Sequence, residues 1–115
     1  PGIYANGHVA AAPWLAHKAS HEGIIAAESI AGKRPHKLDP MTIPGCTYST
    51  PQIASFGLTE NAAKVKGYQV KIGHFPFMAN GKALVLNHPD GFIKVIFEAK
   101  TGEILGAHMI GPEVT

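Results

Sequence analysis

A chain of 115 residues has room for one ordinary domain and not for two complete ones. Its longest apolar runs, Ile24–Ala27 and Ala83–Leu86, fall far short of the roughly 18 residues that a membrane-spanning helix needs. The formal charge is +2 and the Lys and Arg residues are spread singly, so there is no basic stripe to follow a nucleic-acid backbone. The single cysteine, Cys46, excludes an internal disulfide and any CxxC motif, and is expected to be a small buried apolar side chain.

The chain opens on Pro-Gly, lacks a signal-peptide pattern and ends on Glu113-Val114-Thr115 within what reads as continuing structure, so a segment of a longer chain is expected. Near its start, the apolar pair Ile3-Tyr4 leads through Asn6-Gly7-His8 into alanine-rich sequence. This pattern predicts a short strand, a tight glycine turn and a helix beyond it. In α/β proteins that shape often faces a ligand, because strand ends and helix N-termini converge there.

The helix is predicted from Pro13 to Ala31, with Leu15, Ala19, Gly23, Ala26, Ala27 and Ile30 on one face and Gly32 as its C-terminal cap. "KRPHKLDPMTIPG" (Lys33–Gly45) follows. Its three prolines break helix and ladder alike, and a domain boundary is placed there, after Leu38.

Beyond it the periodicity changes to two. Strands are predicted at Thr47–Ser49 and Gln52–Gly57, interrupted at Pro51, followed by a short helix over Glu60–Lys66, capped by Thr59 and closed by Gly67. Tyr68, Val70 and Ile72 then alternate on a strand face. Asn80-Gly81, Pro89-Asp90-Gly91 and Lys100-Thr101-Gly102 read as tight turns. In "FIKVIFE", Ile93, Val95 and Phe97 face one way and Lys94 and Glu98 the other, which predicts a half-buried antiparallel strand. "ILGAHMIG" (Ile104–Gly111) is its hairpin partner. This run is apolar on both faces, so both should be covered, and an exposed apolar surface with an unpaired strand edge is expected here.

Few residues suggest chemistry by themselves. His17 and His21 stand four apart on the predicted helix beside Glu22, but Lys18 occupies the place where a zinc-protease helix carries its glutamate, and spacing places no third ligand nearby. No metal site is assigned. His36, His74, His88 and His108 are scattered and read as structural. The chain has no GxGxxG, P-loop or nucleophile elbow, so phosphates of any ligand at the first turn must be held elsewhere. The predicted helix points its N-terminal N–H groups and the positive end of its dipole toward that turn, which favours a ring that becomes anionic.

"IYANGHVAAAPWLAHKASHEGIIAAESIAG" closely resembles the flavin-binding segment of the dihydrolipoamide dehydrogenase family of FAD-dependent disulfide oxidoreductases. "TYSTPQIASFGLTENAAKVKGYQV", "FPFMANGKAL" and "DGFIKVIFEAKTGEILGAHMIGP" resemble the start of the same enzymes' interface domain. The resemblance implies an α+β chain. Residues 1–38 would be the end of an FAD-binding α/β domain (strand, turn, long helix), and 39–115 the first part of an antiparallel-sheet dimerisation domain.

It further implies a homodimeric flavoprotein that oxidises protein-bound dihydrolipoyl groups through a redox-active disulfide, FAD and NAD. Its partner would be the lipoyl-bearing acyltransferase of a 2-oxo acid dehydrogenase complex, in the bacterial cytoplasm or the mitochondrial matrix. The cysteine pair and the catalytic His–Glu pair of the family lie outside these residues, so this segment carries no catalytic residue and is expected to retain neither cofactor alone. The alternative is a non-catalytic assembly or subunit-binding module derived from the interface domain.

Carried over by position, His8 stands where the family has an aspartate that accepts hydrogen bonds from the ribityl chain of FAD. Replacing a charged acceptor by a neutral imidazole would cost about 1.5–3 kcal/mol of cofactor binding. Trp14, Leu15, Ala16 and His17 match the stretch whose backbone N–H groups face the flavin pyrimidine ring, and Tyr48 matches an aromatic near the flavin. Ser49 and Gln52 stand where threonine and glutamate are usual.

Overall fold

The computed structural model describes residues 2–115, which form two compact units that divide between Ile43 and Pro44. In the first unit, a 3-10 turn at Gly7–Val9 precedes helix α1, Ala16–Ile30. The strand expected around Ile3-Tyr4 is not formed. Asn6 is extended (φ −143°, ψ 165°), but no described residue offers this segment a ladder, and a strand exists only by pairing.

Helix α1 begins three residues later than the apolar spacing predicts, with Leu15 as an extended N-cap residue, and ends as expected. Gly32, at φ +75°, donates to the Ser29 carbonyl while Lys33 donates to that of Glu28, the paired bonds of a Schellman cap. The inward side of the helix differs from the predicted stripe. Ala27 and Ile30 are exposed, whereas Lys18 is buried. The segment between Asn6 and Pro13 folds onto that flank through polar contacts, which apolar periodicity does not register. At the end of the unit, Asp39 accepts from Met41 N–H at 2.9 Å and opens a 3-10 turn at Pro40–Thr42.

The second unit is an antiparallel sheet of five strands in the order β1-β2-β5-β4-β3. The strands are β1 Gly45–Thr47, β2 Gln52–Gly57, β3 Val70–Pro76, β4 Phe92–Glu98 and β5 Ile104–Gly111. β1 ends before the predicted Thr47–Ser49 strand would begin to extend. Pro51 lacks a ladder donor, and Ser49 Oγ donates to the Pro51 carbonyl at 2.7 Å, bending the chain instead. Cys46 in β1 is half-buried opposite Ala54, less enclosed than expected.

β5 pairs with β4 as predicted but also with β2, so it is the central strand. The edge expected on "ILGAHMIG" is therefore filled by a strand from earlier in the chain, and β1 and β3 are the edges. A residue whose sequence neighbours are turns gives no sign of such long-range pairing.

Helix α2, Glu60–Val65, forms as predicted. Thr59 Oγ1 accepts from Ala62 N–H at 3.2 Å, and Gly67 at φ +85° closes it. The core lies beneath it, where Leu58, Ala63 and Ile96 pack with Ala62, Val70 and Leu105. This placement reverses the expected polarity of β4. Ile96 and Glu98, on the Lys94 side, are its buried residues, while Ile93, Val95 and Phe97 are only half-buried. Asn80-Gly81 is also not a hairpin turn. Asn80 Oδ1 accepts from Ala83 N–H at 3.1 Å and caps α3, Gly81–Val85. The Lys100-Thr101-Gly102 turn does form, organised by Glu98, whose Oε2 accepts from Lys100 and Thr101 N–H at 2.8 and 2.6 Å. These donors hold its carboxyl below the usual range, against the effect of burial.

Glu60 ties α2 to the sheet. Its two oxygens meet Lys64 Nζ and Lys94 Nζ, each at 2.6 Å, and the hydrogen bonds from Lys64 and then Lys94 lower its pKa from 4.5 to about 2. A carboxyl depressed on folding stabilises the fold above its unfolded pKa and loses that contribution as pH falls through the folded value. Stability is therefore expected to fall between pH 4.5 and about 2, and less steeply in Glu60→Gln. Urea midpoints across that window check this; identical slopes for both proteins would refute it. Both lysines are partly exposed, so added salt should shrink the difference.

Candidate functional site

The first unit gathers five of the six residues that the sequence nominates. His8 is the exposed middle residue of the Gly7–Val9 turn. Trp14 is 66% exposed just before the helix, Leu15 is its N-cap residue, and Ala16 and His17 are its exposed first two residues. Tyr48 belongs to the second unit, where it is 81% exposed beyond β1.

Two side chains that the sequence reading weighed only against a metal motif tie this segment to the helix. Lys18, only 4% exposed, donates from Nζ to the Ala11 carbonyl at 2.9 Å and meets Glu22 Oε1 at 2.7 Å. The other oxygen of Glu22 accepts the Gly7 N–H at 2.7 Å. Lys18 and Glu22 sit four apart on one helix face, so each can hold one side of the loop against α1. The Lys18 hydrogen bond, then the Gly7 N–H, hold the Glu22 carboxyl below its ordinary pKa, while burial opposes them.

Gly7 completes the contact. Its φ of +73° favours glycine, and a Cβ there would sit 3.3 Å from Ala19 Cβ, so the turn rests closely on the helix. An i,i+4 Lys–Glu pair was the available signal, but such pairs are common on solvated helix faces, and spacing alone does not reveal burial.

The N-cap residue of α1, Leu15, supplies no side-chain cap hydrogen bond, and the first turn contains no acidic residue. Fifteen aligned peptide dipoles place partial positive charge and donor N–H groups at this end. A neutral or anionic acceptor edge fits that donor set, and a carboxylate here would have opposed it. Among the described residues, no three His, Cys, Asp or Glu side chains lie close enough to hold a metal ion. No helix there is long and apolar enough to cross a membrane. In the second unit, a concavity of about 800 Å³ is bordered by Ser49, Gln52, Phe77, Lys82, His88 and Asp90; none of the nominated residues lines it.

Residues 43–115, most of the chain, match the family model described as the pyridine nucleotide-disulphide oxidoreductase dimerisation domain, and the chain belongs to this family. Dihydrolipoyl dehydrogenase from Zymomonas mobilis is 60% identical over 114 residues, and that from Bacillus subtilis is 59% identical over 113. Each alignment takes in 98% of this chain and 24% of the relative, so the chain spans about a quarter of their length.

The fold agrees. LpdA from Mycobacterium tuberculosis superposes with a TM-score of 0.88 at 24% identity, over 96% of this chain and 24% of that one. The HOCl-induced flavoprotein disulfide reductase RclA from Escherichia coli gives 0.84 at 25% identity, over 96% and 26%.

Proposed function

We propose that this chain is part of a dihydrolipoyl dehydrogenase, contributing flavin contacts from its first unit and dimer surface from its second. The identity of 60% over nearly the whole chain carries the reading. On this reading residues 1–38 are the end of an FAD-binding domain and 39–115 the first part of the interface domain. The lipoyl-bearing acyltransferase of a 2-oxo acid dehydrogenase complex is then the partner, in the bacterial cytoplasm or the mitochondrial matrix.

FAD, when bound, supplies two-electron transfer between a dithiol–disulfide pair and NAD. The residues here would bind and orient it. Leu15, Ala16 and His17 would form the segment that faces the ring edge gaining negative charge on reduction, where the positive end of the α1 dipole stabilises it by about 0.3–1 kcal/mol or more when enclosed. Trp14 would cover that edge, and His8 would offer a nitrogen to the ribityl hydroxyls. Tyr48 would be the aromatic near the flavin that the family resemblance implies. The full-length protein carrying this segment should purify yellow and reduce NAD with dihydrolipoamide; a colourless, inactive protein would overturn the reading.

His8 provides a sharper test. In that full-length protein, His8→Asp should retain flavin more tightly, since a carboxylate offers two charged acceptor oxygens, a gain of about 1.5 kcal/mol or roughly tenfold in affinity. Flavin release under mild denaturant measures it. Equal or faster loss from the Asp variant would remove the ribityl role from this turn.

A further inference from the structure

We infer that Lys18 and Glu22 are positioning residues for the flavin-facing turn: together they clamp Gly7–Ala11 onto α1, and flavin affinity depends on the clamp. The inference rests on the flavin reading above and assigns to two side chains a task that the reading alone does not require.

Lys18 is the only charged side chain of α1 that is buried, and burial of an ammonium is costly unless it is paired and hydrogen-bonded. Both conditions hold here. Its Nζ reaches Glu22 Oε1 at 2.7 Å and the Ala11 carbonyl at 2.9 Å. Glu22 passes the linkage on to Gly7 N–H at 2.7 Å. The chain is thus held at both ends of a short loop with His8 between them.

Neither Lys18 nor Glu22 needs to touch a ligand for this to matter. A loop that is already ordered binds without first losing backbone freedom, whereas a released loop must lose it on binding. A Cβ added at Gly7 would come to 3.3 Å from Ala19 Cβ, so the seated turn leaves little clearance. An exposed ion pair at the same spacing would not do this, since it would hold nothing but its own side chains.

The experiment uses the full-length protein with Lys18→Met, Glu22→Gln and the conservative Lys18→Arg, and with Glu60→Gln as a control that breaks an ion pair in the second unit. Two readouts are taken: the FAD dissociation constant, and the hydrogen-exchange rate of the Gly7 amide in the flavin-free protein. Lys18→Met and Glu22→Gln should each raise the dissociation constant about tenfold, the factor for re-ordering roughly one residue of backbone. Both should accelerate Gly7 exchange. Lys18→Arg, whose guanidinium can span the same two acceptors, should recover most of both, and Glu60→Gln should change neither.

Unaccelerated Gly7 exchange in Lys18→Met and Glu22→Gln would overturn the clamp itself. Accelerated exchange with unchanged FAD affinity would overturn its link to the flavin while leaving the flavin reading intact. An equal loss of affinity in Glu60→Gln would show a global stability effect and overturn the positioning role. A wild-type protein that takes up no FAD would instead remove the flavin reading, and the inference with it.

Discussion

Ile96→Ala is expected to destabilise the second unit by about 4 kcal/mol, near the upper part of the range for deleting buried aliphatic side chains. Ile96 is fully enclosed, and among the described residues it is the largest side chain that is. The other buried hydrophobic residues among them are Leu58 and the three alanines Ala54, Ala63 and Ala107. A core of this make-up has few large neighbours able to collapse into the space left by three carbons. The α2 backbone above it is held by the Thr59 cap and by Glu60's bond to Lys94, which further restricts collapse. A unit of this size has a total stability of only several kcal/mol, so most of the population should unfold. Urea titration followed by circular dichroism checks this. A loss below about 1 kcal/mol would show that the site repacks and that the core lies elsewhere.

Gly106→Ala should be nearly as damaging, at about 3 kcal/mol, for the opposite reason of overcrowding. A Cβ at Gly106 would overlap the Leu58 carbonyl oxygen and approach Leu58 N to 2.8 Å. Backbone cannot rotate away as a side chain tip can. Retreat is further blocked because Leu58 N–H donates to the Leu105 carbonyl at 2.8 Å, next to the register shift at Ile96/Phe97. Gly57, at φ +72° on the facing strand, pairs with Gly106, and a Cβ there would also overlap the Leu105 carbonyl oxygen. Gly81→Ala is the control, since nothing lies within 4 Å of its added Cβ and its backbone is ordinary for an alanine. Equal midpoints for Gly106→Ala and Gly81→Ala would refute the close approach.

How far the sequence could be read depended on how local each signal was. The α2 helix was legible in full because Thr59 and Gly67 act on their nearest backbone, through a cap bond and a positive φ. The C-terminal stop of α1 at Gly32 followed from the same kind of chemistry. The β4–β5 hairpin was legible from two runs joined by Lys100-Thr101-Gly102, although Glu98's part in organising that turn was not. Asn80 misled, since asparagine before glycine serves equally as a turn residue and as an N-cap. Only the room for another helical turn after it decides between them.

Family membership, the antiparallel α+β architecture and the long helix with its stop at Gly32 were all present in residue order, because caps, turns and alternation are set by neighbours in the chain. Folding in three dimensions decided the rest. β5 became the central strand because β2, some fifty residues earlier, pairs with it, and local pattern holds no record of that partner. The buried side of β4 was chosen by where α2 and Leu58 came to rest, not by which side carried more apolar residues. Lys18, which composition assigns to solvent, was drawn inside because Glu22 and the Ala11 carbonyl together replace the water its ammonium loses.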